Sequence, residues 1–339
     1  MQCNQGIRLV LLFGNFFFLL LAGPKGVTAQ GVDRPAPRAE LLATPPGAAA
    51  PAVQEPGPPA ASPVRLLPFN TVAVDPPGSQ GFRRYPVDGP DTMAASAMMI
   101  DARTGQVLYF KDPDVRRPVA STQKLLTALL VAEHGDLDRY VRVAPEDCRV
   151  EPTKLGFLPG EIYTRRQLLA AMLIHSCNDA AVCLARNDAG SISQFADRMN
   201  AKAASLGATE SHFVNPNGLP VPDQFSTARN MARIAYTAYR NPTLRQFMRM
   251  PGFRFTYSSG RQRYFDATNK LLRRSTMFTG MKTGYTGVSG RCLVSSASSG
   301  GKEIILVQLG GTHQMLFDDA ERLLMWGLDQ RSSFFNVGP

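Results

Sequence analysis

The hydrophobic pattern of residues 91–339 is strand-like at its start, helix-like in the middle and strand-like again near its end. Two strand-like runs, residues 95–101 and 106–111, flank Arg103-Thr104-Gly105 and predict a hairpin with glycine at its bend. Strand character returns at residues 253–257, around Lys282, at 292–296 and at 304–309. Strands at both ends with helices between them predict an α+β fold, in which distant segments close an antiparallel sheet and a helical lobe is inserted.

The middle of the chain carries the helical patterns and the residues that cap them. Thr164 and Ser191 stand at favoured N-cap positions, before helices predicted over residues 165–174 and 192–206. An apolar run at residues 125–131 predicts a further helix. The other predicted elements are a strand at 140–143, helices at 178–187 and around 227–239, a turn-rich passage at 212–222, and a last helix at about 316–328.

The N-terminus has the order of a secretory signal peptide. Arg8 precedes an apolar run at residues 9–22, and small residues follow at Val27-Thr28-Ala29. The run is shorter than the roughly 18 residues that a membrane span needs, and Asn15 interrupts it. Cleavage after about Ala29 is therefore favoured over a retained anchor.

The composition changes after this leader. Residues 30–90 contain 14 of the 26 prolines, mixed with Ala and Gly, and predict a disordered linker. The predicted organisation is a signal peptide at 1–29, this linker, one folded domain at 91–332 and a tail at 333–339. No C-terminal membrane anchor is evident, because residues 329–339 form neither an amphipathic helix nor a hydrophobic segment.

Charge narrows the possible partners only slightly. Of the formal net charge of +10, about +8 falls on residues 91–339. A basic exported domain can meet nucleic acid, an anionic membrane face or an anionic polymer such as cell wall, and the charge can also serve solubility alone. The export signal argues against nucleic acid.

Cysteine and histidine usage gives no sign of a metal or other cofactor. The four cysteines beyond the leader are too sparse for a disulfide framework, so free thiols are expected. Cys177 and Cys183 are expected on one helix but on different faces. No Cys/His cluster has metal-ligand spacing. The four cysteines are Cys148, Cys177, Cys183 and Cys292.

Ser121-Thr122-Gln123-Lys124 is the first candidate for chemistry. Positions i and i+3 share one face of a helix, so the Lys124 amine can reach the Ser121 hydroxyl and take its proton without a histidine. The alternative is that Ser121 is only an N-cap, because Ser-x-x-Lys alone is a weak motif.

Two later groups strengthen the motif through their order. Ser176-Cys177-Asn178 lies between two predicted helices, and Lys282-Thr283-Gly284 lies on a predicted strand. This ordered triple is the signature of serine penicillin-binding proteins and serine β-lactamases. Segments around these motifs and at Asn215–Leu219 closely resemble the low-molecular-mass serine D-alanyl-D-alanine carboxypeptidases. The resemblance covers nearly all of residues 93–328 and implies a five-stranded antiparallel sheet lobe, a helical lobe and an active site in the cleft between them.

The resemblance also implies roles. Ser121 is the expected nucleophile, and Lys124 its base, which must be neutral through burial and a nearby positive charge such as Lys282. Ser176 is expected to relay the proton to the leaving amine, and Asn178 to hydrogen-bond the substrate backbone. Substrate binding is assigned to Lys282 and Thr283 for the terminal carboxylate, Gly284 for close backbone approach, the Tyr285 N–H as an oxyanion donor, and Thr286 as an extra carboxylate ligand.

The expected reaction is removal of the terminal D-Ala from peptidoglycan stem pentapeptides, with β-lactams as covalent inhibitors and a location outside the cytoplasm, at the cell wall. The alternatives are a D,D-endopeptidase with the same residues, a serine β-lactamase and a non-catalytic wall-binding module. Glu210 is the only glutamate between Asn178 and Lys282, and its spacing to Asn215 departs from the β-lactamase pattern. One position also departs from the carboxypeptidase pattern, because Thr268 stands where some members carry a carboxylate-binding arginine.

Overall fold

The main sheet is antiparallel and contains the strands expected at both ends of the domain. The computed structural model describes residues 84–85, 89–312 and 316–330, which all belong to one compact unit. The signal peptide, most of the linker and the tail predicted from the sequence lie outside these residues. The strand order is β1-β3-β2-β10-β9-β8. These strands are β1 (Arg84–Tyr85), β2 (Ser96–Asp101), β3 (Val107–Lys111), β8 (Phe278–Thr286), β9 (Gly290–Ser299) and β10 (Lys302–Gly311).

Five of these strands are the predicted ones, and β1 is an addition. It pairs Arg84 with Lys111 and Tyr85 with Phe110, inside the segment expected to be linker. An edge strand such as β3 presents unpaired backbone groups, and β1 covers them. The central pairing of β10 with β2 joins distant parts of the chain in continuous register, from Ile304 opposite Asp101 to Leu309 opposite Ser96.

A helical lobe lies between β3 and β8 in the chain, as predicted. The Thr164 cap forms a complete capping box with Gln167, and the Ser191 side chain accepts from the Gln194 N–H. Two small hairpins accompany the helices, β4 (Tyr140–Arg142) with β5 (Ile162–Thr164) and β6 (Gly252–Thr256) with β7 (Gln262–Asp266). The helices are α1 (Lys124–Glu133), α2 (Arg165–Ile174), α3 (Asn178–Ala189), α4 (Ile192–Ser205), α5 (Ala228–Arg240), α6 (Pro242–Met248) and α7 (Leu316–Asp329).

Alternation along β10 builds a core on each face of the sheet. Ile305 and Val307 belong to the cluster that includes α1 and α5, whereas Ile304 and Leu306 belong to the cluster that includes α7. Because successive side chains of a strand point to opposite faces, one strand anchors both layers. No helix in the described ranges is long and apolar enough to cross a membrane.

Three details differ from the sequence-based expectations. The predicted strand at 253–257 forms β6, which pairs with its own hairpin partner β7 and not with the main sheet. Cys177 is the N-cap of α3 and precedes the helix that holds Cys183. Ser121 lies in a 3-10 turn, Ala120–Gln123, immediately before α1.

Candidate active site

Ser121 and Lys124 are in direct contact at the start of α1. Lys124 Nζ lies 2.6 Å from Ser121 Oγ, 2.6 Å from the Asn217 carbonyl oxygen and 2.7 Å from Asn178 Oδ1. Three acceptors therefore surround the amine, and the Lys124 side chain is fully buried. The 3-10 turn produces the i to i+3 contact that was expected of an α-helix, because both helix types place these residues on one side.

Two buried lysines lie in this region, and their burial changes their pKa values. Burial, and then the charge of Lys282, hold the pKa of Lys124 well below its usual value. Burial also lowers the pKa of Lys282, to about 7. Removing an ammonium group from water disfavours its charged form, and a second positive charge adds to this. A neutral Lys124 amine, which can accept a proton, is thus accessible far below the ordinary lysine range.

Ser176 and Asn178 come from the junction between α2 and α3. Ser176 lines the same cavity as Ser121, is 8% exposed and has a φ of +70°. A residue other than glycine in the left-handed region costs free energy, so the fold holds this serine in place against local preference. The Asn178 amide donates to the Pro152 carbonyl oxygen at 2.5 Å while its oxygen accepts from Lys124.

The β8 segment forms one wall of the site. Lys282 points inward and donates to the Thr283 carbonyl oxygen, while the Thr283 hydroxyl is 2.6 Å from that of Thr268. A Cβ at Gly284 would lie 2.9 Å from the Ser121 nitrogen, closer than real Cβ atoms approach. Glycine is therefore what lets β8 pack against the serine turn.

Tyr285 and Thr286 differ in position. Tyr285 is 65% exposed and lines the cavity. The Thr286 hydroxyl is 2.8 Å from that of Ser289, in the turn between β8 and β9, and Thr286 is not among the described residues that line the cavity. The predicted site residues fall into three groups. Three are buried in the site, namely Lys124, Asn178 and Lys282. Five line the cavity, namely Ser121, Ser176, Thr283, Gly284 and Tyr285, and Thr286 faces the turn.

The cavity has a volume of about 550 Å³ and is lined by both lobes. Pro152 and Thr153 contribute from the loop before β5, and Leu316 and Phe317 from the start of α7. No aspartate or glutamate is among the described residues that line it. Within the described ranges, no group of His, Cys, Asp and Glu side chains is placed to hold a metal ion.

Sequence reasoning did not assign a role to two residues that build this site. Asn217 supplies the carbonyl oxygen that accepts from both Lys124 Nζ and Ser121 Oγ. In the sequence, its segment contributes only to the family resemblance. Asp179, next to Asn178, is fully buried and accepts from the Leu155 and Gly156 N–H groups. A carboxylate at a helix start is a common pattern, so the sequence offered no signal for this contact.

Two other predicted features have clear positions. Cys177 is fully buried, and burial raises the pKa of its thiol. All four described cysteines are free thiols, as expected. Glu210 forms an exposed ion pair with Arg116, 2.5 Å apart, and does not line the cavity.

Comparison with known proteins supports the interpretation of this arrangement. The family model for D-alanyl-D-alanine carboxypeptidase (Peptidase_S11) matches residues 84–313. The D-alanyl-D-alanine carboxypeptidase DacB2 of Mycobacterium tuberculosis is 36% identical over 244 residues, which cover 70% of this chain and 83% of the relative. A D-alanyl-D-alanine endopeptidase of Escherichia coli is 34% identical over 249 residues, covering 70% of this chain and 78% of the relative.

Solved structures agree with the sequence matches. The crystal structure of a D-alanyl-D-alanine carboxypeptidase from Mycobacterium tuberculosis superposes with a TM-score of 0.69 at 33% identity, covering 77% of this chain and 97% of that one. The fold, the ordered motifs and the family match therefore agree. This chain belongs to the D-alanyl-D-alanine carboxypeptidase family of serine peptidases.

Proposed function

We propose that this protein is a serine D,D-carboxypeptidase that removes the terminal D-Ala from peptidoglycan stem pentapeptides through an acyl-enzyme on Ser121. The observation that carries the proposal is the 2.6 Å contact between Lys124 Nζ and Ser121 Oγ at the floor of the cleft. A nucleophilic serine needs a base within hydrogen-bond reach that is neutral at working pH. Lys124 meets both needs, because its contact is direct and its pKa is lowered by burial and by Lys282.

Acylation follows from this geometry. Lys124 takes the proton as Ser121 Oγ attacks the carbonyl carbon between the two D-Ala residues. The backbone N–H groups of Ser121 and Tyr285 are assigned to the oxyanion, which they stabilise as it forms. Ser176 passes a proton to the leaving amine as the C–N bond breaks. Water then attacks the ester, which releases the shortened peptide and restores the serine.

Substrate binding is assigned to β8 and to the junction between α2 and α3. Thr283 and the charge of Lys282 receive the terminal carboxylate, and Gly284 lets the peptide backbone approach the strand. The Asn178 amide nitrogen uses one hydrogen toward Pro152 and keeps a second for the substrate backbone. Thr286 is left out of this assignment, because its hydroxyl contacts Ser289.

Ser121 would also be acylated by β-lactams, which we propose act as covalent inhibitors. A serine β-lactamase must deacylate rapidly, usually with a water that a glutamate activates. The absence of any carboxylate from the described lining of the cavity, with Glu210 paired to Arg116 outside it, favours slow turnover of a drug adduct. We further propose that the enzyme acts outside the cytoplasm, where the peptidoglycan substrate is found.

The endopeptidase reaction is the second candidate, because one relative with 34% identity is named a D-alanyl-D-alanine endopeptidase. Both reactions use the same acyl-enzyme and differ in the leaving group. The discriminating experiment follows D-Ala release from a Lys-D-Ala-D-Ala peptide and cleavage of cross-linked peptide, with wild type and Ser121→Ala.

Release by the wild type and loss of both release and fluorescent penicillin labelling in Ser121→Ala are expected. Equal release by the two proteins would remove Ser121 as the nucleophile. Faster cleavage of the cross-linked peptide would favour the endopeptidase. A wild type that does not label with penicillin would favour a non-catalytic binding module.

A further inference from the structure

The cavity continues past the residues that would hold the terminal carboxylate. It reaches Leu293 and Arg291 on β9 and Phe317 at the start of α7. Register pairs Thr283 with Leu293 and Tyr285 with Arg291. Directly opposed residues of paired strands point to the same side, so these four side chains share one face. Room for more than a D-alanine therefore exists next to Thr283, on the leaving-group side of the cleft.

This extension is lined by cations. Lys270, Arg274 and Arg291 line the cavity, and no carboxylate among the described residues does so. The charge of Arg274 is balanced by two carboxylates, since its guanidinium lies 2.6 Å from both Asp318 and Glu321.

Arg291 is differently placed. It is half-buried, lies with its guanidinium carbon 5.3 Å from the centre of the Tyr285 ring, and makes no ion pair with any described residue. Lys270 also makes none, but its side chain is exposed and its charge more strongly screened. Arg291 is thus the cation in the cavity whose charge is least balanced and least hydrated.

We propose that Arg291 determines specificity in a leaving-group subsite that prefers a D-residue with an acidic side chain. The inference rests on the proposed function, because it places the leaving residue's own carboxylate at Thr283. Arg291 is the diagonal neighbour of Thr283 across the β8–β9 pair, and the Cα atoms of such neighbours lie roughly 7–8 Å apart. An acidic side chain of two methylenes spans that separation, and a guanidinium binds a carboxylate through paired, charge-assisted hydrogen bonds.

The bond chemistry is that of the proposed reaction. The bond from Ser121 Oγ to the D-Ala carbonyl carbon forms, the C–N bond to the acidic D-residue breaks, and its amine leaves with the proton delivered by Ser176. Arg291 contacts only the side chain of the leaving residue. Its effect is therefore expected on the choice among leaving groups, not on formation of the acyl-enzyme from a β-lactam.

The test compares peptides that differ only in the leaving residue, Lys-D-Ala-D-Ala, Lys-D-Ala-D-Glu and Lys-D-Ala-D-Lys, by the ratio of their kcat/KM values. Wild type is expected to cleave the D-Glu peptide roughly fivefold or more faster than the D-Lys peptide, a preference that added salt weakens. Arg291→Gln should reduce the preference to near one. Arg273→Gln is the matched control, because Arg273 pairs with Asp266, lies outside the described lining of the cavity and carries the same charge.

Each outcome decides the question. A wild type that releases D-Ala but shows no preference for D-Glu over D-Lys overturns the subsite and leaves the proposed function intact. Equal loss of preference in Arg273→Gln and Arg291→Gln also overturns it, since the effect would then be general charge. No release from any of the three peptides overturns both proposals. If Arg291→Gln does not fold, the wild-type preference and its salt dependence still decide.

Discussion

Lys124 and Lys282 are two lysines buried beside one serine. Burial of either lysine costs free energy, because transfer of an ammonium group into a protein interior is strongly disfavoured. The fold offsets this with acceptors, since Lys124 donates to three oxygens and Lys282 to the Thr283 carbonyl. The remaining cost lowers both pKa values, and this is the property that a lysine base requires.

The pH dependence of acylation follows from these pKa values. In the proposed mechanism the reactive form has a neutral Lys124 and a charged Lys282. Penicillin acylation should therefore rise with pH through the lowered pKa of Lys124, and fall again as Lys282, whose pKa burial lowers to about 7, loses its charge. In Lys282→Met the positive charge that helps to lower the Lys124 pKa is lost. The rise of the acylation rate with pH should therefore move to higher pH. Stopped-flow measurement of the penicillin acylation rate from about pH 5 to about pH 9 gives this pH profile. A flat profile would contradict the assignment of Lys124 as base.

At this scale the sequence predicts the residues with distinctive motifs, and their catalytic roles stay predictions. Ser121, Lys124, Ser176 and Lys282 were identified by order and spacing, and the structure places them around one cleft. The Asn217 carbonyl could not be found in this way, because a backbone oxygen can belong to any residue type. Thr286 stays a prediction as a carboxylate ligand, and its hydroxyl contacts that of Ser289 in the turn.

At the scale of the element, β8 must lie unusually close to the serine turn. Gly284→Ala would place a Cβ 2.9 Å from the Ser121 nitrogen and 3.0 Å from the Ala120 Cβ, neither of which is a flexible side-chain end. Displacement of the serine is expected to lower the acylation rate about 100-fold. Gly287→Ala is the control, because nothing lies within 4 Å of a Cβ there. Similar penicillin acylation rates in the two variants would contradict the packing argument.

The loop before β5 depends on one buried carboxylate. Asp179 accepts from Leu155 and Gly156, and the neighbouring Asn178 N–H donates to the Thr153 carbonyl. In Asp179→Asn, an amide nitrogen would face a backbone N–H, so we expect a loss of about 1–3 kcal/mol in the free energy of unfolding. Hydrogen exchange at the Leu155 and Gly156 amides should accelerate, and penicillin acylation should slow.

A second buried carboxylate separates this effect from general destabilisation. Asp147 is fully buried and pairs with Arg186, and it is not among the described residues that line the cavity. Asp147→Asn should therefore destabilise the helical lobe while leaving acylation unchanged. If both variants affect acylation equally, the loop has no particular part in forming the site.

Elements with a local signal were predictable from the sequence, and elements defined by distant pairing were less so. Thr164 and Ser191 cap their helices as predicted, because an N-cap depends on residues three positions apart. β6 has ordinary strand character, but its preference for β7 over the main sheet depends on the whole fold. The two residues of β1 carry too little pattern to distinguish them from the linker.

At the scale of the whole molecule, β1 extends the sheet beyond the predicted domain start. A chain that begins at residue 89 would lack β1 and leave the outer edge of β3 unpaired. Compared with a chain that begins at residue 80, we expect a melting temperature about 2–4 °C lower, for a loss near 1 kcal/mol. Exposure of a strand edge also favours association. Calorimetry measures the melting temperature and light scattering measures the association. Equal melting temperatures of the two chains would show that β1 adds nothing to stability.

The position of β8 in the sheet has one more consequence. It is the terminal strand of the sheet in the described part of the chain, and Thr283, Gly284 and Tyr285 on it line the cavity. Where such an edge is uncovered, it can accept an extended peptide as an additional strand through main-chain hydrogen bonds. The interior of a helix has its backbone groups paired within the helix and cannot offer them to the strand. Binding of this kind would select ligands first by conformation, because an extended chain end can pair with the strand before any side chain is recognised.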